Sequence, residues 1–291
     1  SKYWIRWLAV GFVSAIGYRM KATCSIVLIA LFLSEFVLCP MLVMCEDSDR
    51  RRRRSGILHK GWETIFSLLL VAVCFLGAGT AVDGAYSHLT KATVNKEGSI
   101  GFAHYFKMGL NQSSTGTFNY DDVDASLYAP DSSTRNRENM EEAFHRIRAM
   151  GGFQTGVLYC RKTRMNYNDG SFGYGLGGKS FIETDYVGKP QEAVETLLRE
   201  FFRPDGKNFH WYLDIAQAVW LALLVLVTAG LWNGDNKNCV FNLILLGIWM
   251  FTTLFEGQQR YLFLYGPVFI LVAASSRWIP GRFDSTEREK F

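Results

Sequence analysis

The stretch YLDIAQAVWLALLVLVTAGLW, residues 212–232, decides how this chain is to be read. A bilayer core of about 30 Å is crossed by about 20 apolar residues in helical form, and this run supplies them. Two more runs meet the same test, ATCSIVLIALFLSEFVLCPMLVM at 22–44 and WETIFSLLLVAVCFLGAGTAV at 62–82. The runs at 239–255 and 261–278 are shorter but neutral in their interiors, and the tight connection 256–260 makes them a hairpin of two helices. The opening stretch 4–18 is apolar but short, which implies a tilted or partly re-entrant span. The expected fold is an all-α membrane protein, a polytopic helical bundle of about six spans with a mainly helical extracytoplasmic domain.

Charge sets the orientation. Lys and Arg beside helix ends are retained on the cytoplasmic side, so the arginine run Arg50 to Arg54, with Lys60 behind it, marks a cytoplasmic loop. The span at 62–82 then leads outward, 212–232 returns, the hairpin goes out and back, and the basic tail with Arg282, Arg288 and Lys290 ends inside. Four regions follow: membrane helices with the Arg-rich loop at 1–84, an extracytoplasmic domain at 85–210, three membrane helices at 211–279, and a cytoplasmic tail at 280–291. The expected location is a membrane that the chain crosses several times, with the long polar stretch on the extracytoplasmic side. An arginine run can also serve as a nucleic-acid or anionic-lipid patch, but topology accounts for this one.

A hydrophobic content of 49% and a formal charge of +4 suit a polytopic protein in contact with membrane lipids and argue against nucleic acid as a partner. Of the six cysteines, Cys24, Cys39, Cys45, Cys74 and Cys239 fall in or beside spans and Cys160 alone is external, so neither a disulfide framework nor metal-ligand spacing is expected. The chain opens on Ser1 and a short first helix, from which we expect it to begin inside a longer protein.

The external domain reads as folded. Residues 103–110 combine aromatic and basic side chains (His104, Tyr105, Phe106, Lys107), the composition of a helix lying on the membrane surface. Residues 119–133 read as an acidic, turn-rich loop with Asp121, Asp122 and Asp124. Met140, Phe144, Ile147 and Met150 recur at helical spacing over 135–150, Gly151 and Gly152 stop that helix, and a second runs over 153–167. The glycine-rich 168–178 is a loop. A third helix over 190–202 starts at Pro190 and places Val194, Leu197, Leu198 and Phe201 at helical spacing.

Some charges fit topology poorly. With the arginine run inside, Arg19 and Lys21 face outward, against the usual bias, and so does the 256–260 turn with Glu256 and Arg260. Ionised groups near hydrocarbon usually have partners. Snorkelling or a Glu256–Arg260 ion pair would serve, but Arg19, Lys21 and Arg260 all map to the outer interface, where clustered cations suit the phosphate of a lipid carrier.

The segment VSAIGYRMKAT, 13–23, resembles the Gly-x-x-x-Lys element of GT-C membrane glycosyltransferases, the broad group of protein mannosyltransferases (family 39) and aminoarabinose transferases. FEGQQRYLFLYGP, 255–267, is similar to the Glu-x-x-x-Arg-Tyr element of bacterial members, and HYFKMGLN (104–111), DDVD (121–124) and NYNDGSFGYG (166–175) look like parts of the large external loop of one branch. The resemblance implies transfer of a sugar from a polyprenyl-phosphate donor to a glycan or protein acceptor at the outer face. It implies that Lys21 contacts the lipid phosphate, with Glu256, Arg260 and Tyr261 lining the same cavity and Arg19 beside it. Ala22 stands where the family often has Pro or Gly. The family's catalytic carboxylate lies in a first external loop; no equivalent precedes Lys21 and the chain has no Asp-Glu dipeptide. The expectation is a C-terminal portion whose general base lies in a preceding segment.

The sequence marks no certain cofactor and leaves a divalent cation open. Asp121, Asp122 and Asp124 could hold a divalent cation, although three such residues in a turn are more often a solvated loop. His104 and Lys107 could bind acceptor or lipid headgroup, with interfacial anchoring as the plainer role. Asn168 and Asp169 suit turn chemistry, in a loop that could act as a lid. The competing function is a non-enzymatic, membrane-anchored binding or assembly protein for cell-envelope polymers. A transporter would want ionisable groups near the midplane, and Glu35 is the single candidate.

Overall fold

A computed structural model describes residues 2–38, 50–92, 98, 100–174, 193–232 and 239–276. Among them every regular element is helical, and the chain divides into two units, 1–97 and 98–291.

In the first unit, α1 (Lys2–Met20) packs along α3 (Arg50–Thr90). Between them lie a 3-10 turn (Ala22–Cys24), α2 (Ser25–Leu33) and a π-helical turn (Ser34–Leu38). The expected Arg-rich loop is a correction: residues 50–54 are the first turns of α3, whose backbone is helical for 41 residues. Within it, Ile65–Thr90 has a mean hydropathy of 2.4 and is long enough to cross a bilayer. Residues 39–49, with Cys39 and Cys45, lie outside the described residues.

α1 and α3 approach closely because Gly11 has no side chain. A Cβ there would stand 2.7 Å from Cys74 Cβ and 2.9 Å from the Val71 carbonyl oxygen. Ala15 is fully buried one turn on, and Trp4 meets Phe66 edge-on with ring centroids 4.3 Å apart. Gly11→Leu is therefore expected to force the helices apart at a cost of about 1–3 kcal/mol, read as a lower thermal midpoint. An unchanged midpoint would mean this contact does not hold the pair. A cavity of about 440 Å³, lined only by apolar side chains that include Trp7, Phe32, Leu68 and Phe75, opens between α1, α2 and α3.

The second unit has a polar part and an apolar part. The polar part holds α4 (Phe102–Gly109), α5 (Tyr120–Leu127) and α6 (Ser132–Tyr167). α6 kinks at Gly151, whose φ of 68° and ψ of 167° suit glycine, so the glycine stop falls where the sequence places it and two helices run on as one. The acidic loop is a correction. Asn119 caps α5 by accepting from the Asp122 amide at 3.0 Å, and Asp121 and Asp122 in the first turn favour the helix dipole. What reads as a turn by composition is a capped helix.

The apolar part holds α7 (Ala193–Phe202), α8 (Phe209–Trp232), α9 (Cys239–Leu254), α10 (Arg260–Phe263) and α11 (Gly266–Ala274). α8 has a mean hydropathy of 2.0 and is the other helix long enough to cross a bilayer. It packs on α11, where Gly230 lets the Val272 carbonyl approach so closely that a Cβ would clash with it. The last expected span, 261–278, is broken: α10 ends at Phe263 and α11 restarts at Gly266 with Pro267 in its first turn, and nine residues alone are too few to cross. The start of the third helix at Pro190, the lid segment beyond Tyr174, and the tail with Arg282, Arg288 and Lys290 lie outside the described residues.

Candidate functional site

Arg19 and Lys21 belong to the first unit. Lys21 ends α1 in an extended conformation (φ −156°, ψ 120°); its amide donates to Gly17 at 2.8 Å and its carbonyl accepts from Cys24 at 2.9 Å. The turn forms with Ala22 in place of Pro or Gly. Arg19 grips Asp83 through two hydrogen bonds of 2.8 and 2.9 Å, and Gly79 leaves room for its guanidinium. Its charge is thus matched by a carboxylate of α3.

His104, Lys107, Glu256, Arg260 and Tyr261 belong to the second unit. The membrane-surface reading of 103–110 is corrected there. His104 is 2% exposed and Lys107 3%, because α4 turns its polar face inward onto α5 and α6. The His104 ring nitrogen Nδ1 lies 2.7 Å from Ser126 Oγ. Lys107 Nζ donates to the Asp122 carbonyl at 3.1 Å and lies 3.7 Å from its carboxylate. Arg146, which the sequence reading passes over, donates to both Asp122 carboxylate oxygens at 3.0 and 2.8 Å, and Asn111 adds a third bond at 2.8 Å. Burial raises the Asp122 carboxyl, but hydrogen bonds from Arg146 and Asn111 outweigh it and hold it below the ordinary range. Burial, with Lys107 beside it, pushes His104 down to about 4, so the imidazole is neutral at pH 7. This knot ties α4, α5 and α6 together. With Asp122 turned into it, the three aspartates do not converge, and among the described residues no group of three or more His, Cys, Asp or Glu forms a candidate metal site.

The 255–260 turn is held from above by α6. Lys162 is fully buried, and its Nζ donates to the carbonyls of Gly109 at 2.8 Å and Phe255 at 2.6 Å. Bare glycine makes room for its stem: a Cβ on Gly116 would lie 2.7 Å from Lys162 Cδ. The Gly257 amide donates to the Gly116 carbonyl at 2.8 Å, and Gln259 Nε2 donates to Met165 at 3.3 Å. Asn166, also fully buried, donates to the Thr252 carbonyl at 3.3 Å, while its Oδ1 has no partner. Burial pushes the Lys162 ammonium down to about 7, with Glu256 offsetting part of that drop.

Glu256 is 4% exposed. Its carboxylate accepts from Tyr261 Oη at 3.0 Å and from Gln258 Nε2 at 3.1 Å, in place of the expected ion pair with Arg260. Arg260 is exposed, stacks over the Tyr261 ring at 5.8 Å, and pairs with no carboxylate among the described residues. The turn thus presents a buried, oriented carboxylate and an outward guanidinium side by side. Asp169 spends its carboxylate on the Ser171 and Gly173 amides, as turn chemistry predicts, whereas Asn168 accepts from Gln217 of α8.

Sequence reasoning finds Glu256, Arg260 and Tyr261 but misses Lys162. Its one signal is a buried row, Leu158, Lys162 and Asn166, spaced four apart on α6. A lysine in such a row reads as solvated unless the carbonyls that receive it are known.

No curated protein matches the chain, and no solved structure does. A family model described as conserved hypothetical integral membrane protein matches residues 2–278, nearly the whole sequence, and the chain belongs to that family of integral membrane proteins.

Proposed function

We propose that the chain is a membrane glycosyltransferase that takes a sugar from a polyprenyl-phosphate donor on the outer face of a bacterial cytoplasmic membrane, in a multi-pass bundle with 85–210 extracytoplasmic. The observation that carries this reading is the 255–260 turn. Arg260 stands exposed and without a carboxylate partner among the described residues at the start of an apolar helix, while the neighbouring Glu256 is held still by Tyr261 and Gln258. A guanidinium recognises phosphate through paired hydrogen bonds and offsets charge building on it as the leaving group departs. The acceptor is a glycan or protein hydroxyl.

The test is donor binding by the full chain in phospholipid nanodiscs, with a labelled polyprenyl-phosphate-linked sugar as probe. Saturable binding is expected, competed by polyprenyl phosphate and not by the free alcohol. Arg260→Ala is expected to weaken it roughly tenfold to a hundredfold, the size of a lost charge-assisted hydrogen bond, with Arg260→Lys intermediate. Absent binding, or binding indifferent to Arg260→Ala, would overturn the reading. A second reading, the non-enzymatic anchored binding protein, is favoured by one observation: His104 and Lys107 are spent on the internal knot rather than on a surface. Saturable binding of an envelope glycan without donor binding would select it.

A further inference from the structure

α7 has no buried residue, although six of its ten residues are apolar and gathered on one side. Val194, Leu197, Leu198 and Phe202 are exposed at 63%, 59%, 50% and 45%, at the spacing of a single helix face. The opposite side carries Glu195, Thr196, Arg199 and Glu200, with Glu195 and Arg199 paired across one turn. In water such a face would be costly to leave bare, and the described residues do not cover it.

The connection to α8 is short and rigid. The Gly206 amide donates to Arg203 at 2.8 Å, the Asn208 amide donates to Glu200 at 3.0 Å, and Tyr174 Oη donates to the Phe202 carbonyl at 3.0 Å. Gly206 sits so close to the Glu200 carbonyl that no side chain would fit. Phe202, Phe209, Tyr212 and Tyr174 form one aromatic cluster where α8 begins, and Trp211 stands exposed beside it. Aromatic side chains gather at the headgroup level of a membrane span. The bare face of α7 is therefore anchored, within a few residues, to the end of a helix long enough to cross a bilayer.

We infer that α7 is an interfacial helix, lying in the plane of the membrane with Val194, Leu197, Leu198 and Phe202 in the acyl region and its charged side toward water. The occupant of the face is the lipid bilayer itself. A helix of this length spans about 15 Å, so it acts as an outrigger that fixes the tilt of α8 and holds the polar part of the unit against the membrane surface. The helix that the composition marks for this place, α4, has its polar side buried on its neighbours, and α7 takes the role. This inference rests on α8 being a membrane span.

The test is site-specific photocrosslinking of the full chain in liposomes that contain radiolabelled phospholipid. Benzoylphenylalanine replaces Leu197 or Leu198, with Glu195 as the polar-face control and Val225, an exposed apolar position of α8, as the span control. Lipid adducts at 197 and 198 are expected to match those at 225 and to exceed those at 195 about fivefold or more, as an apolar face sunk in the interface requires. Adducts to a second protein chain at 197 and 198, or none while 225 labels lipid, would overturn the inference and leave the span standing. Loss of lipid adducts at 225 as well would remove the span and the inference with it.

Discussion

Asp122→Ala is expected to lower the thermal midpoint by roughly 10 °C, the largest loss of any single substitution at the polar helices. Asp122 is 3% exposed and receives Arg146, Asn111 and Lys107 together. Removing it leaves the buried Lys107 ammonium without its carboxylate and takes one of two carboxylate partners from Arg146, which keeps Glu142; breaking a buried pair from one side costs about 3–5 kcal/mol. For a unit of this size each kcal/mol moves the midpoint by about 2–4 °C. A structural account also predicts rescue: Lys107→Met added to Asp122→Ala should return part of the loss, because the stranded ammonium goes with it. A midpoint within about 2 °C of wild type would mean that the charges find water and the knot is not buried in solution. The Asp122 carboxyl lies below its ordinary range, so its contribution is fully present above the ordinary carboxylate range and drains away as acid protonates it.

Lys162 gives the second large effect, and its sign is opposite to that of a lysine that gains a partner on folding. Its folded-state value of about 7 lies below the 10.5 of an unfolded lysine. Between those two values the unfolded chain binds the extra proton and the folded chain does not, so stability rises as pH increases through that window. The expected gain is up to about 1.4 kcal/mol for each pH unit above the folded-state value. A thermal scan in buffered nanodiscs from slightly acidic to moderately alkaline pH should show the midpoint climbing, and Lys162→Met should flatten the climb. The substitution also leaves the Gly109 and Phe255 carbonyls without their donor, so the variant is expected to be weaker at high pH. A wild-type midpoint that is flat or falls across that range would show that Lys162 keeps its proton when folded. His104, near 4 when folded and 6.5 when unfolded, adds its own rise only below the Lys162 window, so the climb above neutral pH is the part that reports Lys162.

The two effects lie at opposite ends of one scaffold. The Asp122 knot joins α4, α5 and α6, and Lys162 ties α6 and α4 to the turn that carries Glu256 and Arg260. In the glycosyltransferase reading, Lys162 is a positioning residue. Its two carbonyl partners set the turn from which Arg260 reaches outward, so Lys162→Met should weaken donor binding less than Arg260→Ala does.

Several features are legible in the amino-acid sequence alone. About twenty consecutive apolar residues have one economical place, so α8 and the 65–90 part of α3 follow from composition. Glycine at 151 allows a backbone angle that other residues resist, so the break in α6 is readable too. The 255–260 connection is marked by Glu256 and Arg260 between apolar runs. The partners of those charges are not. Arg146 meets Asp122 across 24 positions of sequence, and Lys162 meets Phe255 across 93. Periodicity says which residues share a face but not which surface covers that face. So α4, aromatic and basic, turns inward onto an acidic helix that composition disguises as a loop, and α7 is left bare. A membrane helix is specified by solvent, which the sequence states residue by residue; a buried charge is specified by the group that answers it, which only the folded chain brings near.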